Sequence, residues 1–383
     1  MLRATLTDSA RPSQIESGCP IPLRSTTSTA RSSCSGPAKG PTWMLIATSA
    51  RSQLPGRIIG AKERQPAWSR HDLGQWPEPQ GPGRCFRRNW IEVGMRDTSC
   101  VEFLKWALPK LGLAWPGFRR VHRQVCKRIG QRLRELRLAD CEGYRVFLER
   151  NPAEWDTFAS FCRIPISRFF RDRAVFDRLE RDVFPSLAAQ ALLDRAPALR
   201  CWSAGCAAGE EPYSLGILWR CGVSARFAPL SLDVLASDVD EHQLERARAG
   251  LYRGSSLREV PAPWRERAFE RSAQLYRITD AFRSGVVFER RDLLQSVPAG
   301  PFDLILCRNT VFTYFSDARR REFLGRACSI LRAGGAFVIG IRERLPADAG
   351  DLTAWFPELG IFRKFEAQSA AAARPAGELD PHQ

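Results

Sequence analysis

Two short stretches hold residue types suited to a charged, nucleoside-like ligand. The first, Ser203-Ala-Gly-Cys-Ala-Ala-Gly-Glu-Glu-Pro-Tyr-Ser214, places Gly205 and Gly209 where backbone can turn tightly and approach a ligand, with Glu211 just beyond. The second, Cys307-Arg-Asn-Thr-Val-Phe-Thr-Tyr-Phe315, gathers Arg308, Asn309 and Tyr314. Between them Asp238 follows the apolar run 232–237, and Asp292-Leu293 follows the run 286–289. A carboxylate at the end of a second strand can accept hydrogen bonds from both hydroxyls of a ribose, and an acid at 292 could meet the exocyclic amine of an adenine. The glycine turn is neither GxGxxG nor a P-loop, since no Gly-Lys-Ser/Thr follows, and by itself it also fits a plain strand-to-helix connection. Asp240, ahead of His-Gln-Leu-Glu-Arg, suits a helix N-cap.

These groups need elements to position them, and the hydrophobic pattern supplies a set. Strands are predicted at 199–203, 232–237, 286–289, 302–307 and 336–341, with a closing hairpin in 356–366. Helices are predicted after the glycine turn as far as Trp219 and over 317–331. The second of these would be capped by Ser316 and stopped by Gly334-Gly335. Alternating strands and helices imply an α/β fold, a Rossmann-like, mostly parallel sheet with helices on both faces. Ligands of such sheets bind at the carboxyl ends of the strands, which brings 205–211, 238, 292 and 308–314 to one cleft.

Upstream the pattern is helical. Phe118, Val121, Val125, Ile129, Leu133 and Leu136 recur three or four apart, predicting a helix over 117–137. Shorter helices are predicted over 142–150 and 152–162, making a small all-α domain. The first helix carries Arg119, Arg120, Arg123, Lys127, Arg128, Arg132, Arg134 and Arg137 against a lone Glu135. Such a run is either a solvated face or a docking face for something acidic.

The whole chain has 383 residues and a net charge of +16, which by itself suggests nucleic acid, an anionic membrane or an acidic partner. Residues 1–97 carry 14 Lys+Arg against 7 Asp+Glu, residues 98–160 carry 12 against 7, and residues 161–383 carry 32 against 28. The excess therefore belongs to the first 160 residues. Residues 1–97 are rich in Ser, Thr, Pro, Gly and Arg and read as disordered, either an extension ahead of a start at Met95 or a tail beginning at Met1. No secretory h-region or membrane-length apolar run occurs, so a cytoplasmic protein without membrane insertion is expected. Twelve Cys without a CxxC pair and four scattered His suggest reduced thiols and no metal site.

The segments 158–172, 202–214, 235–240, 292–294 and 302–315, in that order, resemble the CheR-type chemotaxis receptor methyltransferases, over about residues 115–368. The resemblance implies a class I methyltransferase sheet that uses S-adenosylmethionine and releases S-adenosylhomocysteine, forming glutamate methyl esters on a chemoreceptor or related signalling protein. It assigns Ser167, Arg171, Gly205, Glu211, Asp238, Asp292, Leu293, Arg308 and Asn309 to cofactor binding, and Arg171 and Tyr314 to the transferred methyl. It also makes Arg119, Arg120, Arg123, Lys127 and Arg134 a docking face for an acidic helical substrate. The domains are then 98–165 (helical), 166–370 (methyltransferase, with 255–285 a small inserted subdomain) and a disordered tail, 371–383. Two departures stand out. Pro165 has neither an N–H nor a side-chain amide, so one cofactor contact is expected to be missing, and Asp292 stands where many members have Asn. The family's Gly-rich hairpin is absent from 265–287, so binding of a receptor's C-terminal tethering peptide is not expected, and the chain is read as a monomer. Two other readings use the same residues. One is a nucleic-acid methyltransferase, against which the Asn/Asp-Pro-Pro-Tyr motif is missing after the fourth strand; the other is a cofactor-binding signalling protein without catalysis.

Overall fold

The structure is a computed structural model that describes residues 97–365. The segment read as disordered up to residue 97 and the tail 371–383 lie outside the described residues, Asp97 apart.

Five helices come first: α1 (Asp97–Ala107), α2 (Trp115–Phe118), α3 (His122–Leu136), α4 (Cys141–Arg150) and α5 (Glu154–Phe161). They enclose a core of their own in which Phe118, Val125, Ile129, Leu133, Tyr144 and Phe158 are fully buried. The predicted helix 117–137 is thus two elements. Gly117 lies so close to the Thr313 carbonyl that a Cβ would sit 2.1 Å from its oxygen, and the chain turns at 119–121 before α3 starts. Asp140 caps α4 by accepting from Gly143 N at 2.8 Å.

Two of the eight cations near α3 are structural. Arg132 grips the buried Glu154 through Nε and Nη2 (2.9 and 2.8 Å), while Tyr144 Oη donates to the same carboxylate at 2.8 Å. Arg128 Nη1 donates to the Phe161 and Arg163 carbonyls at 2.6 and 2.7 Å, satisfying acceptors left open at the end of α5. Arg119, Arg120, Arg123, Lys127 and Arg134 are exposed. The thiol expectation needs correction: Cys100 on α1 and Cys126 on α3 form a disulfide. Neither spacing nor motif marks this pair; it forms because α1, which the periodicity did not foretell, packs on α3.

Helices α6 (Arg173–Arg178) and α7 (Phe184–Leu193) lead into the sheet. There follow β1 (Ala198–Ala204), α8 (Glu210–Leu218), β2 (Ser231–Asp238), α9 (Glu241–Ala249) and β3 (Leu251–Tyr252). Next come α10 (Ala262–Ala268), β4 (Phe269–Ser272), β5 (Leu275–Ile278), α11 (Asp280–Arg283), β6 (Val286–Arg290) and β7 (Phe302–Leu306). The chain ends through α12 (Val311–Tyr314), α13 (Asp317–Ile330), β8 (Leu331–Val338), β9 (Leu352–Phe356) and β10 (Ile361–Lys364). Seven strands lie in the order β6-β2-β1-β7-β8-β10-β9, the first five mutually parallel and the final hairpin antiparallel. A small antiparallel sheet, β3-β5-β4, is inserted between β2 and β6. Every residue of β7 is buried, as a central parallel strand requires. Leu304 and Leu306 pack into the layer with α6–α8, and Ile305 and Cys307 into the layer with α13, so helices cover both faces.

The end of the chain departs from expectation. Helix α13 stops at Ile330 and β8 begins at once, running through Gly334-Gly335 rather than starting after them. A Cβ at Gly335 would lie 2.9 Å from the Asp303 carbonyl, so glycine here permits close approach to β7. Ser316 makes no side-chain cap.

Candidate active site

The chain builds outward from β1 through β2 to β6, then crosses back to place β7 on the other side of β1. At that reversal the carboxyl ends of β1, β2, β6 and β7 open into a cavity of about 870 Å³. The ten residues expected at the cofactor and the transferred methyl line it: Ser167, Arg171, Gly205, Glu211, Asp238, Asp292, Leu293, Arg308, Asn309 and Tyr314; Gly209 and the expected docking cations of the helical domain do not.

Gly205 (φ 79°) lets the β1 turn touch the β7 loop, since a Cβ would meet Thr310 at 2.9 Å. Glu211 stands in the first turn of α8, where the helix dipole favours an acid. Its carboxylate accepts from Ser203 Oγ at 2.8 Å and from Arg308 Nη1 at 3.1 Å. Arg308 is buried rather than open to the cleft: its side chain is 1% exposed, and Nη2 donates to Asp172 Oδ2 at 2.7 Å and to the Arg171 carbonyl at 2.8 Å. Asp238 accepts from Ala207 N (2.8 Å) and Asp240 N (2.9 Å); burial raises its pKa and the two amides oppose the rise. Asp240 does cap α9, accepting from His242 N at 3.1 Å, and it faces Arg163 at 3.9 Å across the cavity rim. Asp292 accepts from Leu294 N and Gln295 Nε2 at 2.9 and 3.0 Å, beside the buried Leu293.

Arg171 Nη1 donates to the Ile166 carbonyl at 2.7 Å. Tyr314 packs at a tilt against Phe118 of the helical domain with ring centroids 5.0 Å apart, and its carbonyl accepts from Ala114 N at 2.8 Å. Burial raises the phenol pKa while the nearby Arg171 charge opposes the rise, so the hydroxyl keeps its proton at neutral pH and can donate.

The family model for the CheR methyltransferase SAM-binding domain matches residues 166–357. The chain belongs to the CheR methyltransferase family. A chemotaxis protein methyltransferase of Listeria monocytogenes is 37% identical over 205 residues, covering 53% of this chain and 75% of that protein. Chemotaxis protein methyltransferase 2 of Pseudomonas aeruginosa is 35% identical over 227 residues, covering 57% and 77%. The Escherichia coli chemotaxis protein methyltransferase is 34% identical over 227 residues, covering 57% and 75%.

S-adenosylmethionine, the cofactor of this CheR-type chain, suits the donor set. Glu211, Asp238, Asp240 and Asp292 surround the cavity with acceptors for a cationic, hydroxyl-bearing nucleoside, and the volume lies in the usual ligand range of ~300–1,000 Å³. Among the described residues no cluster of His, Cys, Asp or Glu could hold a metal ion, and no helix is long and apolar enough to cross a membrane.

Asp172, Ser214 and Glu343, which help hold the CheR-type site rigid, were not among the candidates read from sequence. Four non-glycine residues at the cavity or beside Arg171 have positive φ: Phe170 (52°), Asp172 (61°), Ala207 (48°) and Asn309 (57°). Such conformations cost about 1–3 kcal/mol each unless the surroundings enforce them. Here each is pinned by a side chain from elsewhere. Ser214 Oγ accepts from Phe170 N, Arg308 holds the Asp172 carboxylate, and Asp238 and Glu343 accept from the amides of Ala207 and Asn309. Glu343 also accepts from Gly340 N at 2.6 Å and from the Thr313 hydroxyl, tying the end of β8 to the loop that carries Tyr314. The carboxyl-end rule that gathered the other residues also reaches 343, just past β8, and was not extended that far. Ser167 shares a hydrogen bond with the buried Glu210, whose pKa burial raises.

Proposed function

We propose that this chain methylates glutamate side chains of an acidic helical protein, a chemoreceptor or related signalling protein, in the cytoplasm and as a monomer. The observation that carries the reading is Arg171 beside Tyr314 on the wall of the cofactor cavity, next to the helical domain that bears the exposed cations. The bound cofactor supplies a sulfonium methyl already activated for in-line displacement by oxygen. Glu211 accepts from the methionyl ammonium, Asp238 from the ribose hydroxyls and Asp292 from the adenine amine, with Leu293 against the ring. Gly205 gives close backbone approach, Arg308 and Asn309 shape the cleft, and Ser167 borders it. Pro165, on the same wall, offers no N–H to the cofactor.

A glutamate with an ordinary pKa of about 4.3 is ionised at neutral pH, so the acceptor needs no general base. Arg171 spends one N–H on Ile166 and keeps donors for the incoming carboxylate. Tyr314 donates to the same group and packs beside the methyl. Holding the reactants together can supply up to ~7–11 kcal/mol of the barrier reduction. Arg119, Arg120, Arg123, Lys127 and Arg134 dock the acidic helix.

The test is incubation with radiolabelled S-adenosylmethionine and cell extract, followed by mild base. Volatile labelled methanol is expected; base-stable label in nucleic acid would overturn the reading, and cofactor binding without transfer would favour a non-catalytic role. Strands β4 and β5 are joined by only Ala273-Gln274, and the Gly-rich hairpin that the family resemblance associates with tethering is absent from 265–287. No heat of binding is therefore expected in calorimetry with a receptor C-terminal peptide.

A further inference from the structure

On the β8 side of β7, away from β2 and β6, the carboxyl edge of the sheet carries a second concavity of about 230 Å³. Its wall includes Arg320, Arg321, Arg344 and a single acid, Asp317. Arg320 donates to Asp317 at 3.2 Å and to the Thr313 carbonyl at 3.5 Å. Arg321 and Arg344 are exposed and make no hydrogen bond or ion pair among the described residues. That same Thr313 carbonyl is the atom Gly117 packs against, and Arg119 and Arg120 follow after the buried Phe118. Arg320 and the segment that leads into Arg119-Arg120, from two separate parts of the chain, therefore meet at the Thr313 carbonyl beside Tyr314. Like charges gathered with so few acids repel one another in the free protein, and an acidic partner relieves that repulsion.

We propose that Arg321 and Arg344 form a second anchoring point for an acidic protein substrate. Its carboxylates reach from the Arg119-Arg120 side to this niche and lay the target glutamate across Tyr314. The proposal rests on the reading that the substrate is an acidic protein. It adds to that reading a two-sided clamp that the helical domain cannot provide alone.

The test uses the full chain and a fluorescein-labelled synthetic helix with glutamates three and four residues apart, followed by anisotropy at about 50 mM salt. Glutamine-substituted helix and a short DNA duplex serve as comparison probes. The double variant Arg321→Glu/Arg344→Glu is expected to weaken glutamate-helix binding about tenfold, as Arg119→Glu/Arg120→Glu should also do, with S-adenosylhomocysteine affinity unchanged as the check on folding. Glutamate-helix affinity within about twofold of wild type in the niche variant overturns the proposal. So does tighter binding of the duplex than of the helix with the same loss in the variant, which would make this edge a nucleic-acid surface. Ester formation is measured in parallel. If wild type releases base-labile methanol and the niche variant binds the helix like wild type, the niche alone fails. If wild type releases none, the methylation reading fails and helix binding still decides the niche.

Discussion

Replacing Arg308 should damage stability and cofactor binding together, because one buried guanidinium serves both. Its fork holds Glu211 at 3.1 Å and Asp172 at 2.7 Å, takes the Arg171 carbonyl at 2.8 Å, and lies 5.5 Å from the Phe176 ring centre. Arg308→Met keeps the stem but leaves two carboxylates and a carbonyl without their donor. Breaking a buried ion pair costs about 3–5 kcal/mol. Glu211 and Asp172 side chains retain 15% and 29% exposure and can partly rehydrate, so the lower end, about 3 kcal/mol, applies. For a domain of this size that lowers Tm by about 6–12 °C. The freed Glu211 loses its orientation and Asp172 loses the contact that enforces its positive φ, so S-adenosylhomocysteine affinity should fall about 10–100-fold by calorimetry. Arg308→Lys, a point charge without the fork, should fall between the two. A cycle with Asp172→Asn should give a coupling of about 1–3 kcal/mol in urea unfolding. Unfolding free energy within about 0.5 kcal/mol of wild type and affinity within about twofold for Arg308→Met would refute the claim that this residue organises the site.

Tyr314→Phe removes a donor but keeps the contact with Phe118; kcat for methyl transfer should fall about 10–100-fold with cofactor affinity unchanged, and an unchanged kcat would remove Tyr314 from the reaction. Asp238→Ala deletes the acceptor that pins Ala207 and that is proposed to take the ribose hydroxyls, so calorimetry should show cofactor affinity reduced about 10–100-fold. Burial raises the Asp238 pKa, so acidification should protonate it and weaken cofactor binding in wild type before it does so in Asp238→Asn. In the helical domain, Glu154→Ala leaves Tyr144 without its acceptor and Arg132 with Glu135 alone, and should cost about 1.5–3 kcal/mol in urea unfolding. Hydrogen bonding to Arg132 holds the Glu154 pKa below its ordinary value despite burial. Its stabilisation is therefore complete above the unfolded value of about 4.3 and fades as pH falls through the lowered folded value, so the gap between wild type and Glu154→Gln should close on acidification.

Local pattern made much of this protein legible. The four-residue spacing of Val125, Ile129 and Leu133 marked the buried face of α3 because a helix turns every 3.6 residues, and all three are fully buried, while Val121 and Leu136 of the same predicted face are half-buried. The runs at β1, β2, β6 and β7 marked strands, and the rule that open α/β sheets bind ligands at strand carboxyl ends gathered Gly205, Glu211, Asp238, Asp292, Arg308, Asn309 and Tyr314 without coordinates, while Ser167, Arg171 and Leu293 came from the family resemblance. Periodicity was weakest where elements are short or interrupted. It missed α1, fused α2 with α3, and placed the start of β8 five residues late because Gly334-Gly335 resembled a stop signal.

The sequence alone therefore brought 205–211, 238, 292 and 308–314 to the cleft, since a strand's end and the helix after it are local properties. Only tertiary packing decided how those residues are held. Arg308 meets Glu211 across 97 positions and Asn309 meets Glu343 across 34, so no periodicity could announce either contact. Packing likewise withdrew Arg128 and Arg132 from the basic face, joined Cys100 to Cys126 and set Tyr314 against Phe118. Such pairings follow from how whole elements stack, because a buried polar or strained group persists only where distant neighbours satisfy it.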